Sequence, residues 1–239
     1  MTANNGAGIT TDDRLFVLTG AGISAESGLA TFRGSGGLWN GYRVEQVATP
    51  DAWRADPVLV WNFYSMRRRD ALLARPNAAH LALAKIEQRL QDRFYLCTQN
   101  VDDLHERAGS LRVHHMHGSL FQSRCVRCNR PFADQAVYET AADLPRCEEC
   151  GKPVRPHIVW FGETPLDMEQ IYRELERATC LLVVGTSGSV YPAAGLVIVA
   201  NSRGIRTIYV GPEAPLNASA FDEILLGPAT AVLPSLLDA

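Results

Sequence analysis

A chain of 239 residues with 46% hydrophobic and 21% charged positions has the balance of an ordinary globular protein and can build one substantial α/β core, or one core plus a small module. Its net charge of −3 at pH 7 argues against nucleic acid as an obligatory partner, because that binding runs on Lys and Arg neutralising phosphates. No apolar run is long enough to span a bilayer, and the polar start Met1–Asp13 lacks the basic-then-apolar pattern of a secretory signal, so a cytoplasmic protein is expected.

In chain order, Leu15 to Thr19 is a continuous apolar run that ends in Gly20-Ala21-Gly22, the pattern of a buried parallel strand. A glycine-rich, turn-forming stretch follows from Gly34 to Gly41. Val58 to Leu73 carries helical spacing of Val, Trp, Phe, Met and Leu, and Asn77 to Leu90 predicts a second helix with Asn77 as its cap. Phe94 to Thr98, Leu181 to Gly185 and Ile205 to Val210 are three further apolar strands. Amphipathic helices are expected over Asp167 to Ala178 and Ala193 to Ser202. Strands alternating with helices imply a doubly wound parallel sheet. The stretch from about Ser123 to Pro156 is Cys-rich and polar without helical periodicity, which marks an insertion.

Gly20-Ala21-Gly22-Ile23-Ser24-Ala25 fits G-x-G-x-x-G/A directly after a strand. There Gly20 permits the tight turn, Gly22 lets the backbone approach a pyrophosphate, and the following helix start points N–H groups at the phosphates. The acidic residue that ordinary dinucleotide folds carry about 20 residues on is missing. A loop from Thr31 to Trp39 containing Phe32 and Arg33 stands there instead, and Glu45 follows no strand. Thr98-Gln99-Asn100-Val101-Asp102 and Gly185-Thr186-Ser187 end two other strands, so their polar groups should converge on the same edge of the sheet. Asn100 and Asp102 also suit capping of a helix over Asp102 to Ala108.

Cys125-x-x-Cys128 and Cys147-x-x-Cys150 are separated by 18 residues, a spacing that reads as a four-cysteine zinc site. Four thiolates close the tetrahedron, so one structural Zn2+ is expected, with no open position for chemistry. Cys97 and Cys180 sit alone in apolar runs and read as small core residues. The nearby Arg124, Arg127, Arg130 and Arg146 read as a solvated rim.

These segments in order resemble the sirtuin family from about Arg14 to Leu236: Gly20 to Gly28, Thr31 to Gly34, Thr98 to Asp102, His117-Gly118-Ser119, the two cysteine pairs, Val159 to Glu163, and Gly185 to Ser187. The resemblance implies a Rossmann-type α/β domain over 1–122 and 157–239, with a helical insertion at about 42–76 and a zinc module over 123–156. It further implies NAD cleavage coupled to removal of an acyl group from protein lysines, releasing nicotinamide and O-acyl-ADP-ribose. By position, His117 resembles the catalytic base. The residue types alone leave His114 and His115 as rivals. Gly20, Ala21, Gly22, Glu26, Phe32, Arg33, Trp39, Gln99, Asn100, Val101, Asp102, Gly185, Thr186 and Ser187 resemble the NAD site. Gly211, where many members carry Asn, and Ala229 resemble its adenine end. Val159, Trp160, Phe161, Gly162 and Glu163 resemble the strand on which a substrate peptide adds by β-augmentation.

Tyr64 and Arg67 are three apart in the helix predicted over Val58 to Leu73, so both can share one face. A guanidinium holds a carboxylate with two parallel hydrogen bonds and a phenol adds a third. The Y-x-x-R pattern resembles class III sirtuins, which implies succinyl and malonyl as well as acetyl groups. Arg68 and Arg69 read as solvated. A mono-ADP-ribosyltransferase, a nicotinamide dehydrogenase and a zinc-ribbon module without catalysis are the alternatives, and the sequence is compatible with a monomer.

Overall fold

A computed structural model describes residues 8–31, 39 and 41–237. Phe32 and Arg33 therefore lie outside the described residues. The strands are β1 (Leu15–Thr19), β2 (Phe94–Thr98), β3 (Val113–His115), β4 (Gly118–Cys125), β5 (Pro131–Ala133), β6 (Val154–Ile158), β7 (Cys180–Val184), β8 (Arg206–Gly211) and β9 (Glu223–Leu226). The α-helices are α1 (Gly22–Ala25), α2 (Val44–Val47), α3 (Pro50–Ala55), α4 (Pro57–Leu73), α5 (Ala78–Leu90), α6 (Leu104–Arg107), α7 (Met168–Glu176), α8 (Leu196–Ser202) and α9 (Ala229–Leu237).

Six strands form an all-parallel sheet in the order β3-β2-β1-β7-β8-β9. Strand order reverses between β1 and β7, the place where open α/β sheets bind ligands beyond their carboxyl ends. Both faces are buried, which explains the unbroken apolar runs. Leu15 and Val17 of β1, with Leu182 and Val184 of β7, pack under α5 and α9 through Leu83, Ile86 and Leu233. Phe16 and Leu18, with Leu181 and Val183, pack under α7 and α8 through Ile171, Leu175, Leu196 and Ala200. The edge strands β3 and β9 escape a reading by apolar runs because they are short and carry His114, His115 and Glu223. Strand β7 stops at Val184 because Gly185 turns the chain at φ +64°.

Helices start where the sequence supplies caps. Asn77 Oδ1 accepts from the N–H of Ala79 at 3.0 Å, and Asp56 Oδ1 from that of Leu59 at 2.9 Å with Pro57 in the first helical position. The helix expected over Asp102 to Ala108 is a single turn, α6. That expected from Ala193 begins as a 3-10 turn and becomes α-helical at Leu196.

The second sheet, β5-β4-β6, is antiparallel and runs from Gly118 to Ile158, beyond the 123–156 stretch at both ends. A third apolar cluster joins α2, α3 and α4 to it through Val47, Phe63, Leu120, Ile158 and Trp160. Arg68 departs from the expectation of a solvated run: it is 0% exposed. Its guanidinium pairs with Asp134 at 3.3 Å, and Nη2 donates to Ser123 Oγ at 3.1 Å. The helix's rotation of about 100° per residue points it inward beside Trp61, whereas Arg69 faces solvent and pairs with Glu139.

Candidate active site at the carboxyl edge of the sheet

A cavity of about 480 Å³ opens beyond the carboxyl ends of β1, β2 and β7, within the usual range for small-molecule sites. It brings together Gly20, Ala21, Gly22, Trp39, Tyr64, Arg67, Gln99, Asn100, Val101, Asp102, His117, Val159, Trp160, Phe161, Gly162, Glu163, Gly185, Thr186 and Ser187. Gly211, Glu26 and Ala229 lie off its wall. The Tyr209 side chain covers Gly211, with its hydroxyl 2.3 Å from where a Cβ would stand. Glu26 accepts from Thr230 Oγ1 at 2.7 Å and so ties α1 to α9, while Ala229 is part of the core.

The glycine turn is locked against β7. Gly20 N–H donates to Val184 O at 3.0 Å and Gly22 N–H to Gly185 O at 2.9 Å. A Cβ on Gly22 would stand 2.7 Å from Gly185 Cα. Glycine at 22 is therefore required by the backbone of the facing turn, a reason additional to phosphate approach. The N–H groups of Ile23 and Ser24 also donate inside the turn, at 3.1 and 3.2 Å.

Below the cavity lies a buried polar network that motif reading did not assemble. Ser24 Oγ donates to Asp102 Oδ2 at 3.3 Å and accepts from Asn100 Nδ2 at 3.1 Å, with His80 Nε2 at 3.5 Å. Thr19 Oγ1 meets Thr98 Oγ1 at 2.8 Å and His105 Nε2 at 2.9 Å. The one sequence signal for His80 is its place in the first turn of a helix capped by Asn77. Burial pushes His80 down to about 4 and His105 well below its ordinary value, with the neighbouring His80 and His115 adding to the effect. Both rings are therefore neutral at pH 7. Asp102 is pushed up by burial, opposed by the Leu104 N–H and by Arg67, His115 and Ser24. Its Oδ1 accepts from Leu104 N at 3.2 Å, so Asp102, one residue before the α6 cap Asp103, both holds the first N–H of α6 and faces the cavity.

The cluster of histidines resolves into separate environments. His117 lines the cavity, and its Nδ1 lies 3.3 Å from Gln99 O. A carbonyl can only accept, so Nδ1 carries the proton and Nε2 keeps its lone pair. Burial lowers its pKa, opposed by that bond to Gln99. His115 has an acceptor at each nitrogen, Asn100 O at 2.9 Å and Glu106 Oε1 at 2.7 Å. Burial opposes its charge, but the Glu106 hydrogen bond and charge, with Asn100 O, raise its pKa.

At the other end of the cavity Tyr64 is fully buried, and its hydroxyl oxygen accepts from Trp160 Nε1 at 3.0 Å. The phenol proton remains available for donation. Burial pushes Tyr64 up to about 12, so it stays protonated at neutral pH. Arg67 stacks on Trp39, 4.1 Å from guanidinium carbon to ring centroid. Its buried Nη1 has no hydrogen-bond partner among the described residues. Burial lowers its pKa, opposed by Tyr64, Asp102 and Asp70. A buried, unmatched guanidinium donor beside a phenol is a ready receptor for a carboxylate.

Val159 to Glu163 is not the expected strand but a turn after β6, because most of its amides bond elsewhere. Val159 N–H donates to His117 O at 2.9 Å, Phe161 N–H to Ala48 O at 3.0 Å and Trp160 N–H to Glu163 Oε2 at 2.8 Å. Arg155 grips Glu163 at 2.7 and 2.9 Å and stacks on Trp160.

Away from the cavity, the four cysteine sulfurs lie within 4.8 Å of one another. The separations of 3.5 Å (Cys125–Cys150), 3.4 Å (Cys128–Cys150) and 4.0 Å (Cys128–Cys147) bracket the roughly 3.8 Å edge of a tetrahedron with zinc–sulfur bonds of about 2.3 Å. The N–H groups of Cys128 and Arg127 donate to Cys125 Sγ and draw its thiol down to about 6. The residues fit a structural zinc ion.

The model of the Sir2 family matches residues 20–192, a span that runs from the glycine turn past the Gly185 loop. The chain belongs to the Sir2 family. It is 49% identical over 228 residues to an NAD-dependent protein deacylase of Caulobacter vibrioides, covering 94% of this chain and 95% of that one. It is 48% identical over 227 residues to an NAD-dependent protein deacylase of Escherichia coli strain K12, covering 94% and 81%. Among solved structures, a Sir2 homologue in complex with NAD superposes with a TM-score of 0.87 at 43% identity, covering 95% of this chain and 90% of that one. The Sir2 fold here is the six-stranded parallel sheet plus the small four-cysteine module.

Proposed function

We propose that this Sir2 protein is an NAD-dependent protein lysine deacylase that removes acetyl, succinyl and malonyl groups. The family membership and the deacylase relatives support the reaction class. The observation that carries the acidic-acyl reading is the buried Arg67 Nη1, without a partner among the described residues, beside Tyr64 in the cavity that also holds His117.

In this reading bound NAD supplies an electrophilic sugar carbon and a nicotinamide leaving group. Gly20, Ala21, Gly22 and the Gly185–Ser187 turn seat its phosphates at the switch point. Phe32 and Arg33, outside the described residues, belong to the same proposal. Gln99, Asn100 and Asp102 hold the nicotinamide-side ribose and amide, with Asn100 and Asp102 braced on Ser24. His117, neutral because its pKa is depressed, accepts a proton at Nε2 from a ribose hydroxyl while Nδ1–H stays on Gln99 O. Trp39, Val159 and Phe161 exclude water from the acyl-lysine channel. The Val159–Glu163 turn presents its carbonyl groups to the substrate backbone. Tyr64 and Arg67 bind the distal carboxylate of succinyl or malonyl. The four cysteines hold zinc outside the cavity, so it takes no part in the chemistry.

Incubation with NAD and matched acetyl-, malonyl- and succinyl-lysine peptides tests this. The expected outcome is peptide-dependent release of nicotinamide and unmodified lysine, with O-acyl-ADP-ribose in the mass spectrum. NADH absorbance, or ADP-ribose attached to protein, would replace the reading with one of its rivals.

A further inference from the structure

Helix α4 is gripped on the face adjoining its acyl-reading side. Trp61, Ser65 and Arg68 follow one another at four and three residues, so they share a stripe, and all three are 0% exposed. Trp61 Nε1 donates to Val154 O at 3.1 Å, and its ring lies 4.5 Å from that of Tyr138. It packs in one cluster with Val154 and the metal-site residue Cys125. Ser65 Oγ donates to Tyr138 O at 3.1 Å and accepts from Tyr138 N–H at 2.9 Å, a reciprocal clamp on the segment between the cysteine pairs. Arg68 ties Leu120 O, Ser123 Oγ and Asp134 to the same stripe. The adjoining stripe carries Tyr64 and Arg67 into the cavity. The module thus grips the backbone of α4 from which Tyr64 and Arg67 project, while Trp160 and Trp39 hold the side-chain ends.

We propose that the module determines acyl selectivity: Trp61, Ser65 and Arg68 are positioning residues that fix α4 so that Tyr64 and Arg67 converge on the acyl carboxylate. This rests on the reading that those two residues bind that carboxylate. An acetyl group has no distal carboxylate, so it makes none of the hydrogen bonds that the setting of α4 aligns. Directional hydrogen bonds weaken steeply with misalignment, so a small rotation of α4 penalises succinyl more than acetyl.

The test is steady-state kinetics of the full, zinc-loaded chain as Ser65→Ala and Trp61→Phe, with matched succinyl- and acetyl-lysine peptides and a thermal midpoint for each variant. The expected result is a KM for the succinyl peptide raised roughly 3- to 10-fold, the equivalent of one net hydrogen bond, with a smaller change in KM for the acetyl peptide. Parallel changes for both peptides, or no change for either, would overturn the proposal. If Trp61→Phe does not fold, Ser65→Ala, the smaller perturbation, decides. A wild-type chain that deacetylates but does not desuccinylate overturns the underlying carboxylate reading instead, and the two failures are told apart by that control.

Discussion

His114, His115 and His117 are nearly adjacent in sequence but meet different fields. Only the family resemblance favoured His117 among them, because residue type carries no information about what a ring nitrogen will face. The structure separates them: of the three, His117 alone lines the cavity, and its pKa is depressed while that of His115 is raised. In the proposed reaction the base works when neutral, above its pKa. The acid limb of kcat/KM should therefore have its midpoint below the ordinary histidine value of 6.5. A measured midpoint above 6.5, removed by substituting His115, would transfer the role to that residue. The polar network of Ser24, His80 and His105 escaped the sequence reading for the same reason. Its members are far apart in the chain and are joined only when α5 and α6 pack beneath the strand ends.

Among the elements, the zinc module was the most legible, because metal chemistry imposes spacing. Each Cys-x-x-Cys is followed by a left-handed residue, Asn129 at φ +54° and Gly151 at φ +68°. The N–H of each returns to the carbonyl of the first cysteine of its pair, at 3.0 and 2.8 Å. Asn and Gly are the residue types that tolerate that conformation. The strands flanking the module were less visible, since β4 and β6 mix buried and half-buried positions with Arg124 and Arg155. Helix α4 was legible as a helix, but the inward turn of Arg68 was not: a run of three arginines has no pattern that reveals which one finds buried acceptors. Strong chelation should release one zinc per chain. Because Trp61 packs on the cysteine cluster, it should also lower the thermal midpoint cooperatively, measurable by calorimetry. Metal release without loss of stability would contradict a structural role.

Across the molecule, the doubly wound sheet followed from apolar runs alternating with helices, because a sheet covered on both faces needs such strands. The glycine turn and the polar ends of β2 and β7 placed a site at one edge, and the reversal of strand order between β1 and β7 explains why they meet. The adenine-side assignments at Gly211 and Ala229 carried little sequence signal, and both lie off the cavity wall. The proposed acyl end depends on tertiary contacts: Arg67 stacks on Trp39, and Tyr64 is held by Trp160, 96 positions away. The central claim is that one cavity joins an NAD-cleaving end to a carboxylate-reading end. Its most direct test is the ratio of kcat/KM for succinyl- over acetyl-lysine peptide in Arg67→Met against wild type. Loss of a charge-assisted pair predicts a fall in that ratio of about 10- to 100-fold, and an unchanged ratio would contradict the account.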